Sequence, residues 1–128
     1  MANILIVDDD LDVADALGDV LLSRGHTVNA ARNGEEALRS LRTPPLPDVV
    51  ILDVEMPILD GPGVAHRMLL HDAGQEKIPI VLVSGHPELP QIAAQMGTPY
   101  FLSKPCGVEK ILGVLNRAIA ERVAPTHA

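Results

Sequence analysis

The chain has 128 residues and a mass of 13.6 kDa, the size of one compact domain with no room for a second. Its single cysteine, Cys106, excludes an internal disulfide and fits a reducing compartment. Ten Lys and Arg against seventeen Asp and Glu give a formal charge of -7, a poor match to nucleic acid or an anionic membrane surface. No apolar run approaches the 18 or so residues of a membrane span. The first such run, Ile4-Leu5-Ile6-Val7, is too short for an export signal and passes straight into aspartates. A soluble, cytoplasmic protein is expected. Aromatic content is 2%, with Tyr100 and Phe101 side by side and no tryptophan, so the core must be aliphatic.

Three continuous apolar runs, Ile4 to Val7, Val49 to Leu52 and Ile80 to Val83, are too short for helices and do not alternate. They read as central parallel strands covered on both faces. From Leu11 to Arg24, Val13, Leu17, Val20 and Leu21 recur at helical spacing, and Gly25 supplies a stop. Thr27 to Ala30 is a weaker strand. Asn33 with Glu36 three residues on resembles a capping box and opens a helix through Leu41. Thr43 to Pro47 is a loop because three prolines cannot continue that helix. Beyond the strand ending at Leu52, Met56 to Gly61 is turn chemistry, and Val64 to Leu70 reads as a helix. A short helix over Glu88 to Met96, a last strand over Tyr100 to Leu102 and a last helix over Val108 to Arg122 complete the domain. That last helix places Ile111, Leu112, Leu115 and Ile119 on one face. The domain is expected to occupy residues 1–122, with 123–128 a loose tail.

Five strands alternating with five helices predict a doubly wound parallel α/β sheet with helices on both faces. Ligands of such sheets bind beyond the carboxyl ends of the strands. Asp8, Asp9 and Asp10 follow the first strand, Asp53 the third, Ser84 the fourth and Lys104 the fifth. In a sheet ordered 2-1-3-4-5, Asp8, Asp9 and Asp53 converge. Carboxylates that close repel by a few kcal/mol per pair at an effective dielectric of about 20, which calls for a cation. Hard oxygen donors suit Mg²⁺ better than zinc, for which the chain lacks paired Cys or His. With Lys104 as a second positive charge and Ser84 as a hydroxyl donor, the set suits phosphoryl transfer to a carboxylate nucleophile. The plainer alternatives are that Asp8 to Asp10 cap the first helix, that Asp53 is a structural strand-end aspartate, and that Lys104 is a surface lysine.

At these residues the chain resembles the receiver domain of bacterial two-component response regulators. The ordered motifs are Ile6-Val7-Asp8-Asp9-Asp10, then Leu52-Asp53-Val54-Glu55-Met56-Pro57-Ile58-Leu59-Asp60-Gly61, then Val83-Ser84-Gly85-His86, then Lys104-Pro105. The resemblance implies a flavodoxin-like (βα)5 fold. It implies that Asp53 accepts a phosphoryl group from the phosphohistidine of a histidine kinase or phosphotransfer protein. It also implies that Asp8 and Asp9 hold Mg²⁺ with the Asp53 side chain and the Glu55 backbone carbonyl. Ser84 and Lys104 would grip phosphoryl oxygens, Ser84 and Phe101 would act as switch residues, and the Lys104-Pro105 bond would be cis. His86 and Glu55 flank the site in the family pattern and are expected to affect loss of the phosphoryl group.

The resemblance makes the chain a signalling switch that catalyses only its own phosphorylation and slow dephosphorylation. Two departures stand out. The interval from Ser84 to Lys104 is about two residues short of the family pattern, so the helix near Pro87 and Pro90 should be short or distorted. Phe101 takes the place where the family often has tyrosine, with Tyr100 facing the opposite way. Asp10 reads as a helix cap, Cys106 as a small apolar filler, and His26, His66, His71 and His127 as surface residues. With no output segment after the last helix, function is expected through a downstream effector protein, or as a module cut from a longer protein. Competing readings are a haloacid-dehalogenase-like phosphatase using Asp8 as nucleophile, for which residues 105–128 lack a paired acidic motif, and an unphosphorylated interaction module.

Overall fold

The computed structural model describes residues 2–56, 58–70 and 74–125. The elements are β1 (Asn3–Val7), α1 (Leu11–Ser23), β2 (Thr27–Ala31), α2 (Gly34–Leu41), β3 (Val49–Leu52), α3 (Gly61–Leu70), a 3-10 turn (Gln75–Lys77), β4 (Ile80–Ser84), α4 (Leu89–Met96), β5 (Phe101–Ser103) and α5 (Val108–Glu121). All strand pairs are parallel, and the sheet order is β2-β1-β3-β4-β5.

The three continuous apolar runs are the three inner strands, and their side chains divide by the two-residue period of a strand. Leu5, Val7, Val50, Leu52, Ile80 and Leu82 face one core with α2, α3 and α4. Ile4, Ile6, Val49, Ile51, Val81 and Val83 face the other with α1 and α5. Both layers are almost wholly aliphatic. Tyr100 is the sole ring among their fully buried members, while its neighbour Phe101 is 36% exposed, so the two rings do point opposite ways. The outer strands β2 and β5 are largely exposed, which is why their apolar pattern is faint in the sequence.

Helix ends follow the expected chemistry. Asp10 caps α1, its Oδ1 accepting from the Val13 N–H at 3.3 Å. Gly25 stops that helix at φ 89. Asn33 caps α2 by accepting from the Glu36 N–H at 2.9 Å. The Glu36 carboxylate reaches the Arg32 N–H instead of the cap's own, a capping box displaced by one residue.

Several local expectations shift. Val13 is 40% exposed, and the buried stripe of α1 is Ala14, Leu17, Gly18 and Leu21, because small residues carry part of that face. α3 begins three residues before Val64: Asp60 Oδ1 accepts from the Gly63 N–H at 2.8 Å, and Pro62 occupies the first turn, where it needs no hydrogen bond. α4 is short, as expected, with eight residues, but Pro90 lies in its first turn instead of interrupting it. β5 starts one residue later than the apolar pattern indicates, and the 3-10 turn carries no apolar periodicity at all. His26 is half-buried, with Nδ1 accepting from the Ala2 N–H at 3.0 Å, and His66 is exposed. His71, His127 and Pro57 lie outside the described residues. In the stretch after α5, the Val123 N–H donates to the Tyr100 hydroxyl and Pro125 is buried. Among the described residues no helix is long and apolar enough to cross a membrane.

Candidate functional site

The carboxyl edge of the sheet is assembled by backbone bonds that extend the ladders one residue past the strands. The Asp8 N–H donates to the Ala31 carbonyl at 3.1 Å, the Asp53 N–H to the Val7 carbonyl at 3.0 Å, and the Lys104 N–H to the Ser84 carbonyl at 2.9 Å. Ladder continuity thus sets Asp8 beside Asp53 and Lys104 beside Ser84. Asp8, Asp53 and Ser84 are buried, while Asp9 is exposed at the rim.

One carboxylate oxygen from each of Asp8, Asp9 and Asp53 lies within 4.8 Å of the others. Lys104 lies across this group, its Nζ 2.9 Å from Asp8 Oδ2 and 3.4 Å from Asp53 Oδ2. Burial works against the Lys104 charge, but the hydrogen bond to Asp8, with the charges of Asp53 and Asp8, outweighs it and holds the ammonium above the ordinary lysine value. The reading of Lys104 as a plain surface lysine is therefore set aside. The other Asp8 oxygen accepts from the Asp10 N–H at 2.9 Å, so Asp8 is held at both ends. Three converging carboxylates with a single lysine leave net negative charge, and an all-oxygen donor set of this size fits a hard divalent cation such as Mg²⁺.

The Ser84 hydroxyl accepts from the His86 N–H at 3.2 Å. His86 Nδ1 accepts from the Glu88 N–H at 3.0 Å, which puts the hydrogen of the neutral ring on Nε2, 3.8 Å from Glu55 Oε1. His86 and Glu55 thus close one side of a cavity of about 570 Å³ that Asp9 and Asp60 also line. Behind Asp53, Gly61 leaves no room for a side chain without a backbone shift: a Cβ there would lie 2.5 Å from the Asp53 carbonyl oxygen, and its N–H donates to the Val54 carbonyl at 2.9 Å. Neither Gly61 nor Asp60 stands out by residue type alone, since a glycine after an aspartate reads as an ordinary turn. Cys106 is half-buried and packs against the core that holds α1 and α5. Phe101 is exposed, at the start of β5. The Lys104-Pro105 peptide bond is cis.

The sequence profile of the response regulator receiver domain matches residues 4–116. Among curated proteins, the chain is 35% identical over 124 residues to the tetrathionate response regulatory protein TtrR of Salmonella typhimurium, covering 93% of this chain and 57% of that protein. It is 36% identical over 124 residues to response regulator MprA of Mycolicibacterium vanbaalenii, covering 95% and 52% respectively. The chain therefore spans about half the length of these relatives. Among solved structures, a putative response regulator from Chloroflexus aurantiacus superposes with a TM-score of 0.84 at 31% identity, covering 93% of this chain and 98% of that one. The receiver domain of a signal transduction histidine kinase from Syntrophus aciditrophicus gives 0.82 at 30% identity, covering 94% and 92%. With that profile matched over residues 4–116 and the sheet order β2-β1-β3-β4-β5, the chain belongs to the response regulator receiver domains of two-component signalling.

Proposed function

We propose that the domain is a phosphorylation switch in which Asp53 is the acceptor. The observation that carries this reading is the convergence of Asp8, Asp9 and Asp53 with the Lys104 ammonium bridging two of them. An Asp53 carboxylate oxygen attacks the phosphorus of a donor phosphohistidine. A P–O bond forms, the P–N bond breaks, and the released imidazole nitrogen recovers its proton from solvent. Bound Mg²⁺, held by Asp8, Asp9, Asp53 and the Glu55 backbone carbonyl, would neutralise charge on the phosphoryl oxygens. Asp8, both of whose oxygens accept hydrogen bonds, is read as the metal ligand, and Asp53, with one oxygen bonded by Lys104, as the nucleophile.

Phosphorylation changes the partners of the remaining side chains. Lys104 exchanges its Asp53 contact for a phosphoryl oxygen, and the Ser84 hydroxyl turns from the His86 N–H to donate to another. Phe101, exposed in this state, then follows Ser84 inward. The donor, a histidine kinase or phosphotransfer protein, would approach over an apolar hollow of about 470 Å³ lined by Val13, Pro105, Cys106 and Ile111, immediately beside Lys104. Output passes to a downstream effector protein, and the domain turns over no external substrate.

Incubation with phosphoramidate and Mg²⁺, followed by intact-mass measurement, tests the proposal. One phosphoryl adduct is expected, lost in Asp53→Ala and retained in Asp10→Ala. Absence of the adduct, or its persistence in Asp53→Ala, would overturn it.

A further inference from the structure

Among the described residues, two charged patches of opposite sign have no partner within the chain. On α1, Asp12, Asp15 and Asp19 follow the i, i+3, i+7 spacing of one helix face, away from the buried stripe of Ala14, Leu17, Gly18 and Leu21, and all three are exposed. Across the sheet, Arg39 and Arg42 from the end of α2 and Arg67 from α3 line one recess of about 240 Å³, together with Leu38 and a single carboxylate, Glu35. This recess gathers three of the ten Lys and Arg of a chain whose formal charge is -7. None of the three aspartates and none of the three arginines makes an ion pair or a side-chain hydrogen bond among the described residues. A cation near the carboxyl end of a helix complements its dipole, which accounts for the place of each arginine on its own helix. It does not account for three guanidinium groups gathered around one recess, where they repel one another.

The two patches complement each other but cannot meet within one chain, because α1 packs on one face of the sheet and α2 and α3 on the other. Arg39 and Arg42 stand three residues apart on α2, as Asp12 and Asp15 do on α1, a rise of about 4.5 Å in both helices. Apolar surface accompanies the charges on both sides. Leu11 and Leu22, at helical spacing from Asp15, are 49% and 55% exposed, and Leu70, three residues beyond Arg67 on α3, is 68% exposed. We propose that α1 of one copy of this chain docks in the α2–α3 recess of a second copy, its aspartates pairing with Arg39, Arg42 and Arg67. The contact joins two different faces, so it is not used up in a dimer: each pair keeps one free recess and one free α1, and association continues. Exposed ion pairs are individually weak and screened by salt, so the assembly belongs to low salt and high protein concentration. Asp53 takes no part in it, and the inference stands apart from the acceptor reading.

Sedimentation velocity provides the test. In about 20 mM salt, the wild-type protein is expected to pass from monomer to dimers and larger species as its concentration rises toward about 1 mM. It should return to monomer in about 0.5 M salt, where charges are screened within roughly 4 Å. Two triple variants each remove one side of the contact: Asp12→Asn with Asp15→Asn and Asp19→Asn, and Arg39→Gln with Arg42→Gln and Arg67→Gln. Each variant alone should stay monomeric while keeping the wild-type circular dichroism. Mixed in equal amounts, the two should form a dimer and nothing larger, since each pair then holds one intact recess and one intact α1. A wild-type protein that stays monomeric in low salt, either variant associating as the wild type does, or a mixture no larger than its components would overturn the proposal.

Discussion

His86 is held by two hydrogen bonds, its N–H donating to Ser84 Oγ and its Nδ1 accepting from the Glu88 N–H, with Nε2 3.8 Å from Glu55. A ring so held is well placed to shield the cavity that it lines. His86→Ala should therefore shorten the life of phosphorylated Asp53 severalfold, which the decay of the adduct by intact mass will show. A longer life would make the ring a promoter of hydrolysis instead. Tyr100 is the other residue whose chemistry reaches beyond packing. Burial of the ring, reinforced by the hydroxyl's 2.9 Å bond to Glu121, raises its pKa above the ordinary tyrosine value of 10.0. The native state thus prefers neutral Tyr100. Its contribution to stability is complete below about pH 10 and is lost as pH rises through the higher folded value. Tyr100→Phe should cost about 1 kcal/mol at neutral pH. Urea titrations at rising pH should show the gap between wild type and variant narrowing above pH 10, and a constant gap would argue against the linkage.

At the scale of elements, the junction of β3 with α3 is where local composition and tertiary demand diverge most. Asp60 and Gly61 read as the end of a turn, yet Asp60 caps and Gly61 opens a helix that starts against the back of Asp53. Gly61 permits that approach. Gly61→Ala would push the Asp53 carbonyl or tilt α3, since its Cβ would sit 2.5 Å from that oxygen. Overpacking of this kind typically costs 1–3 kcal/mol. Chemical denaturation should report a loss in that range together with slower labelling of Asp53, and an unchanged midpoint would show that the junction can yield. β2 and β5 teach the complementary lesson. As edge strands they bury one face at most, so residues such as Thr27, Asn29 and Ser103 are tolerated there and the apolar signal thins.

For the molecule as a whole, the acidic edge is a charge imbalance that the fold leaves partly uncompensated. Lys104 neutralises part of it, and the remainder predicts that Mg²⁺ stabilises the protein by binding the native state alone. The gain should grow with concentration, reaching about 2.7 kcal/mol at a hundredfold excess over Kd. Thermal melts with Mg²⁺ and with EDTA should differ accordingly, and Asp9→Asn, at an exposed position, should shrink the difference without unfolding the protein. Melts indifferent to Mg²⁺ in the wild type would remove the metal from this site.

How much of this was open to reading depends on the range of the interaction. The inner strands, the caps at Asp10 and Asn33 and the stop at Gly25 follow from nearest-neighbour chemistry, so composition and spacing suffice to place them. The strand-end residues Asp8, Asp53, Ser84 and Lys104 were legible too, because a parallel α/β sheet sends every carboxyl end to one edge. Tertiary structure alone decided which carboxylate oxygens Lys104 touches, that Gly61 and Gly34 leave no room for a side chain without a backbone shift, and that Val13 faces outward. Each of these depends on atoms brought together from elements far apart in the chain, and close packing admits them at distances that no periodicity of the sequence encodes.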